Sequence, residues 1–203
     1  MTTRDGLIAK ELQAELGGVI IGREIIVIEQ TGSTNDAILQ IANANLDEGL
    51  VVFAEHQSAG RGQRGNRWES AARKGLWFSI LLRPKIDIAN SPRLTAWAAG
   101  AISRAIQNEF SITPTIKLPN DVQIDGRKVA GVLVEMRAQE KAAHLAIAGI
   151  GVNLNQSGFP EGLQDKAISL AMALGRKVDR QKFAITLLRD LDRTYRARFA
   201  RNA

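Results

Sequence analysis

Two apolar runs, Leu50–Glu55 and Leu76–Leu82, are separated by a segment that suits neither strand nor helix. It contains Gly60-Arg61-Gly62-Gln63-Arg64-Gly65-Asn66-Arg67-Trp68, with three glycines and three arginines in nine residues. Glycine lets a backbone take φ > 0 or approach a ligand closely. Arginine forks match carboxylate and phosphate geometry. A loop of this makeup, held between two strands, suits an anionic ligand that must be wrapped. Two further polar clusters stand at expected strand ends: Lys117-Leu118-Pro119-Asn120-Asp121 and Gly149-Ile150-Gly151-Val152-Asn153.

The rest of the chain supplies the elements around that loop. Leu7 to Leu16 has helical spacing and ends at Gly17-Gly18, and Val19 to Ile28 is a β-branched run expected to form one strand or two short ones. Ser33-Thr34-Asn35-Asp36 opens a helix to about Asn45, with Ser33 or Thr34 as the cap. Ser91-Pro92 starts a long helix to Phe110, with proline at its first position. Thr115–Leu118, Val122–Ile124, Val129–Met136 and His144–Leu154 read as a meander of strands, with Asp125-Gly126 as a hairpin turn. A short helix, Ile168–Leu174, precedes a last amphipathic helix over residues 180–199. The order predicts an α+β fold: a mixed, mostly antiparallel sheet with helices packed mainly on one face.

At 203 residues the chain fits one domain with a core of its own. It has no cysteine, which excludes disulfides, thiolate metal sites and cysteine nucleophiles and fits a reducing, cytoplasmic setting. Only two histidines occur, His56 and His144, so a histidine-rich metal site is not expected. No apolar run is long enough to span a bilayer, and no signal-peptide core follows Met1. The 27 Lys and Arg against 21 Asp and Glu give a net charge of +6. That surplus suits nucleic acid or an anionic small molecule. Its densest groups are residues 61–74 and the last helix. No helix-turn-helix pattern precedes residue 33, so a phosphate-ligand loop is expected and DNA binding is not.

Gly60-x-Gly62-x-x-Gly65 satisfies the dinucleotide-binding pattern, but that site needs a helix opening at the third glycine. Here residues 66–75 lead into a strand and leave little room for one. Taken singly, each remaining cluster has an ordinary explanation. Lys117 alone is a solvated lysine, Asn120-Asp121 a turn, Gly149 and Gly151 a bulge or close helix crossing, and Ser33-Thr34 a helix cap. Their joint occurrence at the ends of successive elements favours a ligand site.

Four segments together resemble the catalytic domain of biotin protein ligases, the biotin–[acetyl-CoA carboxylase] ligases. They are Ser33–Asp36; Ala54–Trp68; Lys117–Asp121 followed by Gly126–Glu135; and Gly149–Asn155. The resemblance runs from about residue 25 to 199. It implies a biotin/lipoate ligase-like fold and a two-step reaction. Biotin and ATP, with Mg²⁺, would give biotinyl-5′-AMP and pyrophosphate, and the biotinyl group would pass to a lysine of a carboxyl carrier protein or domain. It further implies biotin contacts from Ser33, Thr34, Asn35, Gln57, Arg61, Gln63, Lys117 and Gly131, with the backbone of Gly60 and Gly62 wrapping the ligand. Lys117 would hold the biotin carboxylate and then the adenylate. Arg64, Trp68, Asn120, Lys128 and Asn153 would face the nucleotide, Trp68 lying near the adenine. Lys117, Arg61 and Asp121 would be catalytic, with Asp121 helping the attacking lysine lose its proton. No side chain is assigned as a resident metal ligand. Loop residues 58–70 are expected to be mobile without ligand and ordered with biotin or its adenylate, because glycine-rich backbone is costly to fix and three unpaired arginines would repel one another.

The chain departs from the family pattern at Leu118, where tryptophan is usual, and at Gln63, where many members have arginine. It is expected to be a single catalytic domain over residues 1–203, with no N-terminal DNA-binding domain and no C-terminal β-barrel. The expected partners are biotin, ATP and the carrier, with no membrane; a homodimer is compatible with the sequence. A lipoate or octanoyl ligase and a noncatalytic biotin- or nucleotide-binding module are the alternatives.

Overall fold

The computed structural model describes residues 6–17, 20–41, 47–138 and 144–200. Its elements are α1 (Ala9–Leu16), β1 (Glu24–Thr31), α2 (Thr34–Ile41), β2 (Leu50–Gln57), β3 (Gly75–Leu82), α3 (Ser91–Phe110), β4 (Thr115–Lys117), β5 (Asp121–Ile124), β6 (Arg127–Arg137), β7 (Leu145–Asn153), α4 (Leu170–Leu174) and α5 (Arg180–Arg198). The strands form one seven-stranded sheet in the order β1-β2-β3-β7-β6-β5-β4. Only β1 and β2 run parallel, joined through α2; the other neighbours are antiparallel. The mixed, mostly antiparallel sheet expected from the sequence is therefore present.

The two faces carry unequal loads. On one, α3 and α5 lay Trp97, Ala98, Ile102, Leu187 and Leu191 against Val51, Phe53, Phe78, Ile80 and Val152. On the other, α2 packs Ala37 and Ile38 against Leu50, Val52, Leu81 and Ile147. Strands β2 and β3 are covered on both sides, which is why they read as unbroken apolar runs rather than alternating ones. The small residues of α3, Ala98, Ala101 and Ala105, are fully buried and let that helix sit close on the strands. At the β5–β6 hairpin, Asp125 and Gly126 both take positive φ (50° and 74°), as a two-residue turn matched to strand twist requires.

Boundaries shift in ways that matter for the site. A single strand begins at Glu24, and Val19 lies outside the described residues. Helix α2 is described to Ile41, so the expected end near Asn45 also lies outside. Strand β2 runs on to Gln57 and carries that side chain into the cleft. Leu118 falls beyond β4 and is 77% exposed, beside a cis Leu118–Pro119 bond.

Beneath the glycine–arginine loop lies a buried ion pair. Arg180 Nη2 donates to Glu55 Oε2 at 2.5 Å, and Arg180 Nε donates to the Gly75 carbonyl at 3.0 Å. The other oxygen of Glu55 accepts from Leu7 N–H at 2.7 Å. The start of α5, the edges of β2 and β3 and the N-terminal segment are thereby fixed to one another. Both partners keep hydrogen bonds that offset the cost of desolvating two charges.

Candidate functional site

The loop is folded as a miniature hairpin rather than an open strap. Gly62 N–H donates to Asn66 O at 2.7 Å and Trp68 N–H to Gly60 O at 2.9 Å, with Arg61 and Arg67 as bridge partners. The turn over Gln63–Gly65 uses left-handed φ at Arg64 (58°) and Gly65 (79°). Gly60 has a steric reason to be glycine: a Cβ there would lie 2.6 Å from the Trp68 carbonyl oxygen. Gln63 and Arg64 sit in the turn and are not among the residues lining the cavities below.

Arg61 is not the unpaired cation that the sequence suggests. Its fork meets Asp36 (Nη1–Oδ2 2.5 Å, Nη2–Oδ1 2.8 Å), and Nη2 lies 3.4 Å from Glu135 Oε2. The hydrogen bond from Arg61 holds the Asp36 carboxyl below the usual carboxylate range, against the opposing pull of burial. Arg67 also has a partner, donating to the Ser58 carbonyl at 3.4 Å. The expectation of three repelling, unpartnered arginines is thus corrected for two of them: α2 and β6 bring carboxylates to Arg61 that lie 25 and 74 residues away.

Trp68 is turned inward. Gly131 on β6 and Gly151 on β7 are cross-strand partners and leave a bare patch of sheet. The indole lies on that patch: a Cβ on Gly151 would be 2.4 Å from its Cε2, and one on Gly131 2.9 Å from its Cζ3. Its edge meets Trp77 at 6.0 Å between centroids, and Lys128 Nζ stands 5.2 Å from the ring centre. Trp68 Nε1 is buried without a hydrogen-bond partner. Gly149 has a different reason for its bare Cα, since a Cβ there would be 2.4 Å from Asn35 Oδ1.

Two adjoining cavities share Trp68 and Lys128 as walls. The smaller has about 40 Å³ free; around it stand Ser33, Thr34, Asn35, Gln57, Arg61 and Gly62 on one side, and Asn120 and Gly131 on the other. The larger, about 460 Å³, is lined by Lys117, Asp121, Asn153 and Arg67 among others. Lys117, expected beside the biotin site, thus lines the larger chamber instead, where it pairs across the ladder with Asp121. Lys128 Nζ is 2.7 Å from Asp121 Oδ1. Asn153 accepts from Gln156 Nε2 at 2.8 Å, and Asn120 Nδ2 donates to Val132 O at 3.3 Å.

The smaller cavity is backed by a chain of polar groups that ends on the Glu135 carboxylate. Gln57 Oε1 accepts from Thr34 N–H at 2.8 Å, and Gln57 Nε2 donates to Ser70 Oγ at 3.0 Å. Asn35 Nδ2 donates to Glu135 Oε2 at 2.5 Å. Ser79 Oγ lies 2.5 Å from Asn35 Oδ1 and 2.7 Å from Thr34 Oγ1. Reasoning from sequence missed Ser70, Ser79 and Glu135. Ser79 left a signal, being the one hydroxyl in the apolar run Leu76–Leu82. Among the described residues no cluster of three His, Cys, Asp or Glu could hold a metal, and no helix is long and apolar enough to cross a membrane.

Known proteins share this chain's fold and much of its sequence. The model of the biotin/lipoate A/B protein ligase family matches residues 27–153, from within β1 to the end of β7. The bifunctional ligase/repressor BirA of Bacillus subtilis is 38% identical over 188 residues, which cover 92% of this chain and 58% of that protein. The chain therefore spans little more than half the length of that relative. The biotin–[acetyl-CoA-carboxylase] ligase of Mycobacterium tuberculosis is 33% identical over 207 residues, covering 95% of this chain and 73% of that one. The biotin protein ligase of Aquifex aeolicus, solved in complex with biotin and ATP, superposes with a TM-score of 0.74 at 31% identity, over 85% of this chain and 70% of that one. With the family model covering most of the sheet and the loop, the chain belongs to the biotin/lipoate A/B protein ligase family.

Proposed function

We propose that this chain activates biotin with ATP to biotinyl-5′-AMP and transfers the biotinyl group to a lysine of a carboxylase carrier domain. The observation that carries this assignment is the pair of adjoining cavities, one with Ser33, Thr34, Asn35 and Gln57 on one side and the other lined by Lys117, Lys128 and Arg67. The first suits an uncharged bicyclic head, the second a nucleotide.

In the first step a carboxylate oxygen of biotin attacks the α-phosphorus, and the bond to pyrophosphate breaks. Charge accumulates on phosphoryl oxygens, so positioned cations do most of the work. Lys128, at the wall common to both cavities, and Lys117 supply them. Arg61 has its fork engaged by Asp36 and Glu135, so its part is to fasten the loop onto α2. Ser33, Thr34, Asn35 and Gln57 hold the ring end, Gly62 and Gly131 give it bare backbone, Asn120 stands at that same cavity rather than on the nucleotide side where the family likeness put it, and Asn153 and Trp68 border the nucleotide. Mg²⁺ would come with the ATP phosphates and needs few protein ligands; Asp121, whose Oδ1 is paired with Lys128 Nζ at 2.7 Å, is the carboxylate that could meet it.

In the second step the carrier amine attacks the carbonyl of the mixed anhydride. A C–N bond forms, the C–O bond to phosphate breaks, and AMP leaves with that electron pair. The attacking lysine must first lose a proton from a group of pKa about 10.4. Asp121, flanked by Lys117 and Lys128, is the carboxylate at hand to take it.

The test is pyrophosphate exchange into ATP with biotin, lipoate or octanoate, followed by mass spectrometry of a carrier domain. Exchange driven by biotin, and a carrier lysine gaining a biotinyl group, are expected. Exchange with lipoate alone overturns the substrate, and biotin binding without exchange makes the chain a binding module.

A further inference from the structure

The glycine–arginine segment runs out of β2 and returns into β3 at Gly75, and one side chain grips both stems. Arg180, the first residue of α5 and only 5% exposed, donates from Nη2 to Glu55 Oε2 at 2.5 Å and from Nε to the Gly75 carbonyl at 3.0 Å. The stems also touch directly. Arg73 N–H donates to the Glu55 carbonyl at 2.9 Å, and Gln57, two residues beyond Glu55, donates from Nε2 to Ser70 Oγ at 3.0 Å. Gln57 is therefore both a rung between the stems and a wall of the smaller cavity. The returning stem is pinned from a third side as well. Lys74 O accepts from Asn155 N–H at 2.6 Å, and the Asn155 amide exchanges two 2.8 Å bonds with the backbone of Val178, two residues before Arg180. A buried ion pair adds little net stability over apolar residues of the same size. What it adds here is geometry, because a rigid guanidinium fork serves a carboxylate on one stem and a carbonyl on the other.

We propose that Arg180 is a positioning residue for ligand binding: its fork sets the spacing of the two loop stems and so holds the Gln57–Ser70 rung where the ring end of the ligand is met. The identity of that ligand, biotin, rests on the proposed function. Arg180 lines none of the three cavities, so it acts only through what it grips. The other ties between the stems are neutral hydrogen bonds, about half as strong as a charge-assisted one. With the fork removed, the stems are correctly set in only a fraction of molecules, and the apparent affinity for biotin falls by that fraction. The cations of the nucleotide chamber, Lys117 and Lys128, stand on β4 and β6, outside the stems.

The test joins Arg180→Met to Glu55→Gln, which leaves no stranded charge, and reads two things: trypsin cleavage after Arg64 in the ligand-free protein, and biotin-dependent pyrophosphate exchange. Cleavage at that exposed turn should be about 10–100-fold faster than in the wild type, the factor expected when a hydrogen bond to a charged group is lost. KM for biotin should rise by a similar factor, while KM for ATP stays within about 3-fold. Arg180→Lys keeps the charge opposite Glu55 without the fork, so it should regain most of the melting temperature yet leave KM for biotin raised more than about 5-fold. Arg104→Met breaks a different ion pair of α5, with Asp190, and should lower the melting temperature while moving neither readout. KM for biotin unchanged in the double variant, restored to wild type in Arg180→Lys, or raised equally by Arg104→Met overturns the positioning role while the ligase assignment stands. A wild-type chain without biotin-dependent exchange overturns that assignment; the cleavage ratio then decides the role of Arg180 alone, and a ratio near 1 overturns it.

Discussion

Gly151→Ala separates the two cavities experimentally. The new Cβ would lie 2.4 Å from Trp68 Cε2 and 2.6 Å from Cζ2 and Nε1, whereas carbon atoms rest at about 3.5–4.0 Å. The indole is rigid, so it must retreat by roughly 1 Å or leave its seat. Retreat weakens the edge contact with Trp77, worth about 0.5–1.5 kcal/mol. It also weakens the Lys128 contact, worth about 0.5–1 kcal/mol. Alanine in a strand of ordinary φ recovers roughly 0.5–1 kcal/mol of backbone entropy. The net loss is about 0–2 kcal/mol, a Tm drop of no more than about 8 °C in a chain this size. The functional effect should be larger. If Trp68 covers the adenine, losing a base–aromatic stack costs about 1–3 kcal/mol, which is roughly a 5- to 150-fold rise in KM for ATP. The assay is pyrophosphate exchange titrated separately in ATP and biotin, with a thermal melt beside it. Gly149→Ala is the counterpart: its Cβ would strike Asn35 Oδ1 at 2.4 Å and should raise KM for biotin instead. Equal changes in both KM values for both variants, or an unchanged KM for ATP in Gly151→Ala, would refute the division of labour drawn from these contacts.

Lys117→Ala should slow adenylate formation by about 10²–10³-fold in single turnover, since it removes a charge-stabilising donor. The exposed end of β4 should keep its melting temperature; a lower Tm with unchanged adenylation would make Lys117 a surface lysine. Arg180→Met strands the buried Glu55 carboxylate and should cost about 3–5 kcal/mol in urea melts, with Glu55→Gln added to it recovering part of the loss; a cost under about 1 kcal/mol sinks that account. The Asp36 carboxyl is held low in the folded state by Arg61, so the clasp is present above the ordinary carboxylate range and lost as pH falls through the lowered value. Tryptophan emission should therefore stay constant from pH 7 to about 4 and change only below it, while Asp36→Asn shows the released spectrum already at pH 7. Identical spectra for Asp36→Asn and wild type at pH 7 would mean that the ion pair does not hold the loop.

What the sequence made legible was local chemistry. The hairpin at Asp125-Gly126, the buried runs β2 and β3 and the alanine face of α3 follow from residue types a few positions apart. The same holds for some of the site's anchors, since Ser33, Thr34 and Gln57 all reach one cavity, whereas Asn120, expected on the nucleotide side, stands there too. What it hid was pairing at long range. Nothing at Arg61 reveals that β6 will deliver Glu135, because that depends on the register of a sheet whose strand order is not sequential. Gly149 and Gly151 announced a close approach, but only the fold says that Asn35 fills one and Trp68 the other. Lys117 was placed by family likeness beside biotin, and the short β4 sets it over the larger chamber.

The two cavities also differ in how firmly they are set, and the difference falls where the chemistry would need it. Around Thr34, Asn35, Gln57, Ser70 and Ser79, donors and acceptors are matched within buried elements, so the floor needs no rearrangement to receive a ring. At the shared wall the opposite holds. Trp68 Nε1 is buried without an acceptor, and Lys128 is divided between Asp121 and the indole face. Small-molecule sites usually need about 300–1,000 Å³, far above the 40 Å³ free beside Trp68, so a bicyclic ligand must displace something. The group with least to lose is the indole, whose N–H gains nothing where it lies. Moving it would open the ring cavity into the chamber that holds Lys117 and Asp121, and would release Lys128 from the indole face. On the proposed function, binding at the fixed floor and reorganisation at the soft wall would be coupled through one side chain, joining recognition of the ring to assembly of the reacting groups.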